Sequence, residues 1–80
     1  MKDFRGKYIN IVTAKGRKGW RIDNRLEGYE IGYIEWFEDW KCYVFSPLEQ
    51  CVYEQVCLRE IADFCEQATN ERNNRKIRRS

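Results

Sequence analysis

The sequence predicts an α+β fold, an antiparallel β-meander of three to four strands with one C-terminal helix packed on one face, in a chain of 80 residues. Three observations lead there. Short runs rich in β-branched and aromatic residues occupy residues 7–45 and are separated by turn-forming stretches, two of them glycine-bearing. Proline occurs once, at Pro47, where the last run ends, because proline has no N–H to give a ladder. Beyond it, apolar residues recur at helical spacing.

Lys7 to Lys15 forms the first predicted strand through Tyr8, Ile9, Ile11, Val12 and Thr13, and Gly16-Arg17-Lys18-Gly19 supplies a basic turn. Trp20-Arg21-Ile22-Asp23 alternates apolar and polar, the signature of a strand buried on one face. Asn24 to Gly28 connects to the third strand, Tyr29 to Phe37. There Ile31 and Tyr33 are expected on one face and Gly32, Ile34 and Trp36 on the other. A glycine inside a strand marks a bulge or a close approach, here expected from a helix across that face. Glu38-Asp39-Trp40-Lys41 turns the chain and Cys42-Tyr43-Val44-Phe45 returns as a fourth strand.

The helix has a clear middle. Leu58, Ile61, Ala62, Cys65 and Ala68 form an apolar stripe with Phe64 at its edge, and Arg59, Glu60, Asp63, Glu66 and Gln67 cover the opposite side. Two starts fit. One begins at Ser46 with Pro47 at the first helical position and Glu49 closing a capping box. The other leaves Val52-Tyr53 extended and begins near Glu54, and Cys51-Val52-Tyr53 favours it because those residues suit β structure. Asn70, Asn73 and Asn74 weaken the far end, so residues 1–72 are expected to be one domain and 73–80 a basic, disordered tail.

A chain this short has a thin stability margin, and three Trp, five Tyr and four Phe offset it, since large rings bury ~150–250 Å² each. The four cysteines, Cys42, Cys51, Cys57 and Cys65, lie nine, six and eight positions apart with no Cys-x-x-Cys pair, and the chain has no histidine. Buried or half-buried free thiols are therefore expected; zinc held by thiolates alone and disulfides are the remaining alternatives. The first residues carry positive charge but no apolar run behind it, and no stretch approaches the ~20 apolar residues of a membrane span, so the expected location is cytoplasmic.

Charge is segregated more than the net value of +2 suggests. Residues 1–22 hold seven basic groups against Asp3 (+6), residues 23–66 eleven acids against three basic groups (−8), and residues 67–80 five basic groups against Glu71 (+4).

Gly32-Tyr33-Ile34-Glu35-Trp36-Phe37, then Trp40, Tyr43-Val44-Phe45 with Pro47, and Leu58-Arg59-Glu60-Ile61-Ala62-Asp63-Phe64 together resemble small uncharacterised proteins of bacteriophages and prophages. The resemblance covers about residues 29–65 and implies a phage or mobile-element origin, with the bacterial host's cytoplasm as the site of action. It brings no catalytic residues. It implies no defined activity, but small phage proteins of this size commonly act by binding host proteins, including inhibitors of restriction and CRISPR systems. That implies a host protein as partner, such as a CRISPR effector or another nucleic-acid-binding protein.

Catalysis is not expected. The chain lacks histidine, a Gly-x-Ser-x-Gly elbow, a phosphate-cradling Gly-x-x-x-x-Gly-Lys loop and metal-ligand spacing, so no cofactor is expected either. The unusual feature is Glu35-Trp36-Phe37-Glu38-Asp39-Trp40. The simpler reading makes Trp36 and Trp40 core rings and the acids a solvated turn. The sharper one makes Glu27, Glu30, Glu35, Glu38, Asp39 and Trp40 an acidic, ring-anchored interface for a basic protein surface, an imitation of a phosphate backbone. Asp23, Asp63 and Glu66 would extend it. The rival reading is RNA or DNA binding by Lys15, Arg17, Lys18 and Arg21 of the first hairpin with Arg72, Arg75, Lys76, Arg78 and Arg79 of the C-terminal stretch, and Trp20, Tyr8 or Tyr29 stacking on bases. A third role, in assembly of the phage particle, requires neither surface.

Overall fold

The computed structural model describes the backbone of residues 1–79 and the side chains of residues 1–74. Five strands precede one helix: β1 (Phe4–Arg5), β2 (Ile9–Thr13), β3 (Trp20–Asn24), β4 (Glu30–Phe37), β5 (Cys42–Pro47) and α1 (Gln55–Arg79). The strands lie in sequence order in one antiparallel sheet, β1-β2-β3-β4-β5. The α+β meander is as expected, but with five strands where three to four were predicted. The extra one is β1, two residues pairing Phe4 with Ile11 and Arg5 with Asn10. A two-residue strand is too short for any alternation to reveal it.

Register places the core on one face of the sheet. Ile11 lies opposite Ile22, Trp20 opposite Ile34, Ile34 opposite Phe45 and Trp36 opposite Tyr43. Partners directly opposite share a face, so these residues form one apolar layer. Ile9, Ile11, Ile22 and Ile34 are its fully buried centre. Between β3 and β4 the register slips: Ile22 faces Gly32 whereas Asp23 faces Glu30, leaving Ile31 as an extra residue in β4. Such a β-bulge redirects side chains. Ile31 was expected to face away from Ile34, and instead both are buried in the same core.

Gly32 is where the close approach occurs, though from a ring and not from the helix. A Cβ there would lie 2.6 Å from Cε1 of Phe45 and 3.2 Å from the hydroxyl oxygen of Tyr53. Phe45 and Tyr53 meet edge to face with centroids 5.0 Å apart, and the Tyr53 hydroxyl donates to the carbonyl of Ile31 at the bulge. Gly19, at the end of the first hairpin, has φ of +104°, and a Cβ there would fall 2.2 Å from the carbonyl oxygen of Ile34. Only glycine lets the hairpin close against β4.

The helix begins at Gln55, the second of the two predicted starts. Glu54 caps it: its carboxylate accepts from the backbone N–H of Cys57 at 2.6 Å, and its carbonyl accepts from Leu58 at 3.1 Å. Burial works to raise the Glu54 pKa, but the Cys57 and Val56 backbone N–H groups outweigh it and hold the carboxyl below its ordinary value. At the other end the helix passes the asparagines and the expected boundary at 72, reaching Arg79.

The buried stripe of α1 is Cys57, Ile61, Phe64 and Ala68. It is rotated from the expected one: Leu58 is 47% exposed and Ala62 is also exposed, whereas Phe64 is only 4% exposed. The sheet decides this. Trp20 and Phe64 meet edge to face with ring centroids 5.1 Å apart, and turning the larger apolar group inward removes more surface from water than Leu58 would. Phe64→Ala should therefore cost about 3–5 kcal/mol, as a buried ring truncation does. Leu58→Ala should cost under about 1 kcal/mol, as surface changes do. Urea unfolding of the two variants checks the rotation; equal losses would contradict it.

Candidate functional site

Two surfaces gather the candidate residues, both at the end of the sheet where β4 meets β5. The first is the β4–β5 turn. Trp40 N–H donates to the Phe37 carbonyl and Lys41 N–H to that of Glu38, both at 3.3 Å, and Lys41 takes a left-handed φ of 54° to complete the turn. Trp40 is 71% exposed and packs edge to face on Phe37, centroids 4.9 Å apart, Phe37 being 37% exposed. The simpler expectation, Trp40 in the core, is corrected: the turn projects its ring past the last paired residues, Phe37 and Cys42. Glu38 and Asp39 sit beside it and are exposed; Glu38 accepts from the Trp36 indole N–H at 2.7 Å and pairs with Lys41. We call this turn the Trp40 ledge.

The second surface is a cleft of about 750 Å³ between the β2–β3 hairpin tip and α1. Its geometry follows from strand length. The β3–β4 ladder ends at Trp20 and Ile34, because the chain has already turned at Gly19, whereas β4 continues to Phe37 paired only with β5. Arg17 and Lys18 border this overhang on one side and Arg72 on the other. The Arg17 guanidinium lies 4.0 Å from the Tyr33 ring centroid and donates to Glu30 at 2.6 Å. The Arg72 guanidinium lies 3.7 Å from the Trp36 centroid and 6.0 Å from that of Tyr43. Trp20 and Tyr43, 5.1 Å apart and edge to face, form the floor.

The remaining candidates are scattered. Glu27 is exposed in the β3–β4 connection, at the opposite end of β4 from Glu38 and Asp39. Glu30 is held by Arg17 and Asp23 by Arg21 at 2.8 Å, while Glu35 lines the cleft among the cations. These acids do not make one continuous face. Lys15 and Arg21 border a shallower hollow with Arg17 and Glu30. Tyr8 and Tyr29 lie far from the hairpin tip, near Asn24 and Arg25, so of the three proposed stacking rings only Trp20 is in the cleft. The side chains of Arg75, Lys76, Arg78 and Arg79 lie outside the described residues, although the helix backbone carries them onward from Arg72.

Sequence reasoning did not single out Tyr33 and Tyr43 or recognise Trp36 as a cleft residue. Alternation around Ile34 contained the signal for Trp36, whose side of the strand was read correctly. The arginine above it could be found only once the helix was placed.

A third hollow, about 590 Å³, lies between β1 and α1 and includes Asp3, Glu60, Asp63 and Glu71. Three of its acids have internal partners: Glu71 with the Met1 amine at 3.1 Å, Asp3 with Thr13, and Glu60, through one oxygen, with the Lys7 N–H. Among the described residues, no group of three or more Cys, Asp or Glu side chains is placed to hold a metal ion. No helix is long and apolar enough to cross a membrane.

Comparison with known proteins supplies the origin. The chain is 30% identical over 70 residues to an uncharacterized 9.3 kDa protein of Acholeplasma phage L2, the match spanning 82% of this chain and 90% of the phage protein. It belongs to that phage protein family. No family model matches the chain, and no solved structure does so significantly. The match bears out the expected resemblance as far as a small phage protein.

The four cysteines of the phage-family chain are free thiols, Cys57 buried and Cys42, Cys51 and Cys65 half-buried. Burial, with a smaller contribution from Cys42, pushes the Cys65 thiol up to about 11. Burial and the Glu54 carboxylate also raise Cys57. Because the thiolate is the nucleophile, alkylation at pH 8 should modify Cys65 at least about tenfold more slowly than an ordinary thiol of pKa ~8.5. Cys57 should also lag. Mass-spectrometric mapping over time checks this, and early labelling of Cys65 would contradict it.

Proposed function

We propose that this small phage protein is a binding module that contacts a host protein through the Trp40 ledge, with inhibition of a host defence protein as its role. The supporting observation is the exposure of Trp40: 71% of the largest apolar side chain in the repertoire faces solvent, braced from behind by Phe37. An exposed tryptophan beside a second half-exposed ring offers a large apolar contact area, and tryptophan is among the residues most enriched at interface hot spots. Asp39 beside it favours a basic partner, such as the nucleic-acid-binding surface of a restriction or CRISPR component, whereas Glu38 is already paired with Lys41. Mimicry of an extended phosphate backbone is not part of the proposal, since the acids that could serve it are dispersed and three are paired with Arg17, Arg21 and Lys41.

The test is capture from host lysate followed by affinity measurement with the captured protein. Trp40→Ala should weaken binding by at least about 2 kcal/mol, roughly 30-fold. Its melting temperature should move by no more than about 4 °C, because the ring contributes little to the core. A wild-type chain that retains no host protein, or a variant that binds as tightly, would contradict the proposal. Stable homo-oligomers in light scattering with Trp40 buried between copies would favour the assembly role instead.

A further inference from the structure

The cleft beside the ledge is a separate surface with different chemistry. Its walls come from distant parts of the chain, the β2–β3 hairpin tip and the α1 segment around Arg72, and each wall places an arginine over an aromatic ring. Arg17 lies over Tyr33 at 4.0 Å and Arg72 over Trp36 at 3.7 Å. Lys18 is exposed on the hairpin wall, and the Met1 amine also lines the space. Glu35 is the carboxylate of the lining, Arg17 is paired with Glu30 and the Met1 amine with Glu71, so the positive excess of the cleft rests on Lys18 and Arg72. The segregated charge in the sequence thus acquires a location: at the unpaired edge of β4 the basic hairpin reaches Tyr33 on the solvent face of the sheet, and the start of the basic C-terminal stretch reaches Trp36 on the helix face.

The geometry points to this cleft as a binding site for single-stranded nucleic acid. Lys18 and the guanidinium edges contact phosphates, and bases stack on the arginine–ring pairs. Cations alone would suit any polyanion. Rings capped by guanidinium planes add something a phosphate does not need and an unstacked base does, because every base has a π-face to offer. A duplex keeps its bases inside its own stack and would leave the rings without a partner. A cavity of about 750 Å³ is of the size that encloses a drug-sized ligand, which fits one or two nucleotides of a strand passing through. This site does not depend on the Trp40 ledge; either can exist without the other.

Fluorescence anisotropy of the full chain with a labelled oligo(dT) or oligo(U) of about twelve nucleotides tests the assignment. With three or so phosphate contacts, the logarithm of affinity should fall with the logarithm of salt at a slope of about −2, so binding weakens about 16-fold between 50 and 200 mM. Lys18→Glu should reduce affinity about tenfold and flatten that slope by about 1. Lys7→Glu, the same charge change at the opposite end of the fold, should leave affinity within about twofold. Circular dichroism establishes that both variants are folded. A duplex of equal length, UMP and an oligoglutamate peptide of equal charge should each bind at least tenfold more weakly. Equal binding of the duplex would reassign the cleft to backbone recognition, equal binding of UMP to a free nucleotide, and equal binding of the peptide to an acidic protein segment. Any of these overturns the inference, as does the absence of binding at 50 mM salt or an equal loss in the two lysine variants.

Discussion

The helix is fixed to the sheet at Trp20, whose ring meets Phe64 of α1 and Tyr43 of β5, both edge to face at 5.1 Å. Trp36 extends this chain of rings from Tyr43 at 5.2 Å, and Arg72 closes it from the helix. In so small a domain, with only ten buried apolar residues among those described, aromatic contacts of this kind set which face of the helix turns inward. They also set where the helix points. Because Phe64 is held over Trp20, the residues that follow it run along β5 toward the β4–β5 turn and bring Arg72 to the cleft.

The sheet's irregularities are what give that end its surfaces. The bulge at Ile31 turns an additional isoleucine into the core, and Gly32 beside it admits the Phe45 ring that a Cβ would displace. Gly19 ends the hairpin while β4 still has residues 35–37 to run. The overhang that results is bordered by the basic tip on one side and the helix on the other, and it ends in the turn that carries Trp40. Core packing and surface display are therefore one arrangement here: shifting the helix by one residue would bury Leu58 and move Arg72 off Trp36.

Much of the fold was legible because its signals are local. Alternation in Trp20-Arg21-Ile22-Asp23, the strand formers around Ile34 and the proline at Pro47 placed β3, β4 and the end of β5, and β character in Cys51-Val52-Tyr53 located the helix start. What escaped was non-local. β1 is too short to have a period, the bulge at Ile31 depends on β3, and the helix rotation depends on Trp20. Trp40 had two readings because a ring in a turn has no periodicity to assign it inside or outside. The basic hairpin and C-terminal stretch were visible as charge, but their convergence required the helix direction, and of the rings between them only Trp20 was read as a stacking ring.

Membership in a phage protein family and the two neighbouring surfaces make sense together if the domain is a rigid mount. The Trp40 ledge and the cleft are joined through Trp36, which lies beneath Arg72 and donates to Glu38. The cleft depends on the junction at Trp20, which holds the helix that carries Arg72, so a double-mutant cycle there is the most direct measurement. Unfolding free energies of Trp20→Leu, Phe64→Leu and the double variant should reveal a coupling of about 0.5–1.5 kcal/mol between the two rings. Strictly additive losses would mean the rings do not hold helix to sheet, and would contradict the placement of everything beyond Phe64.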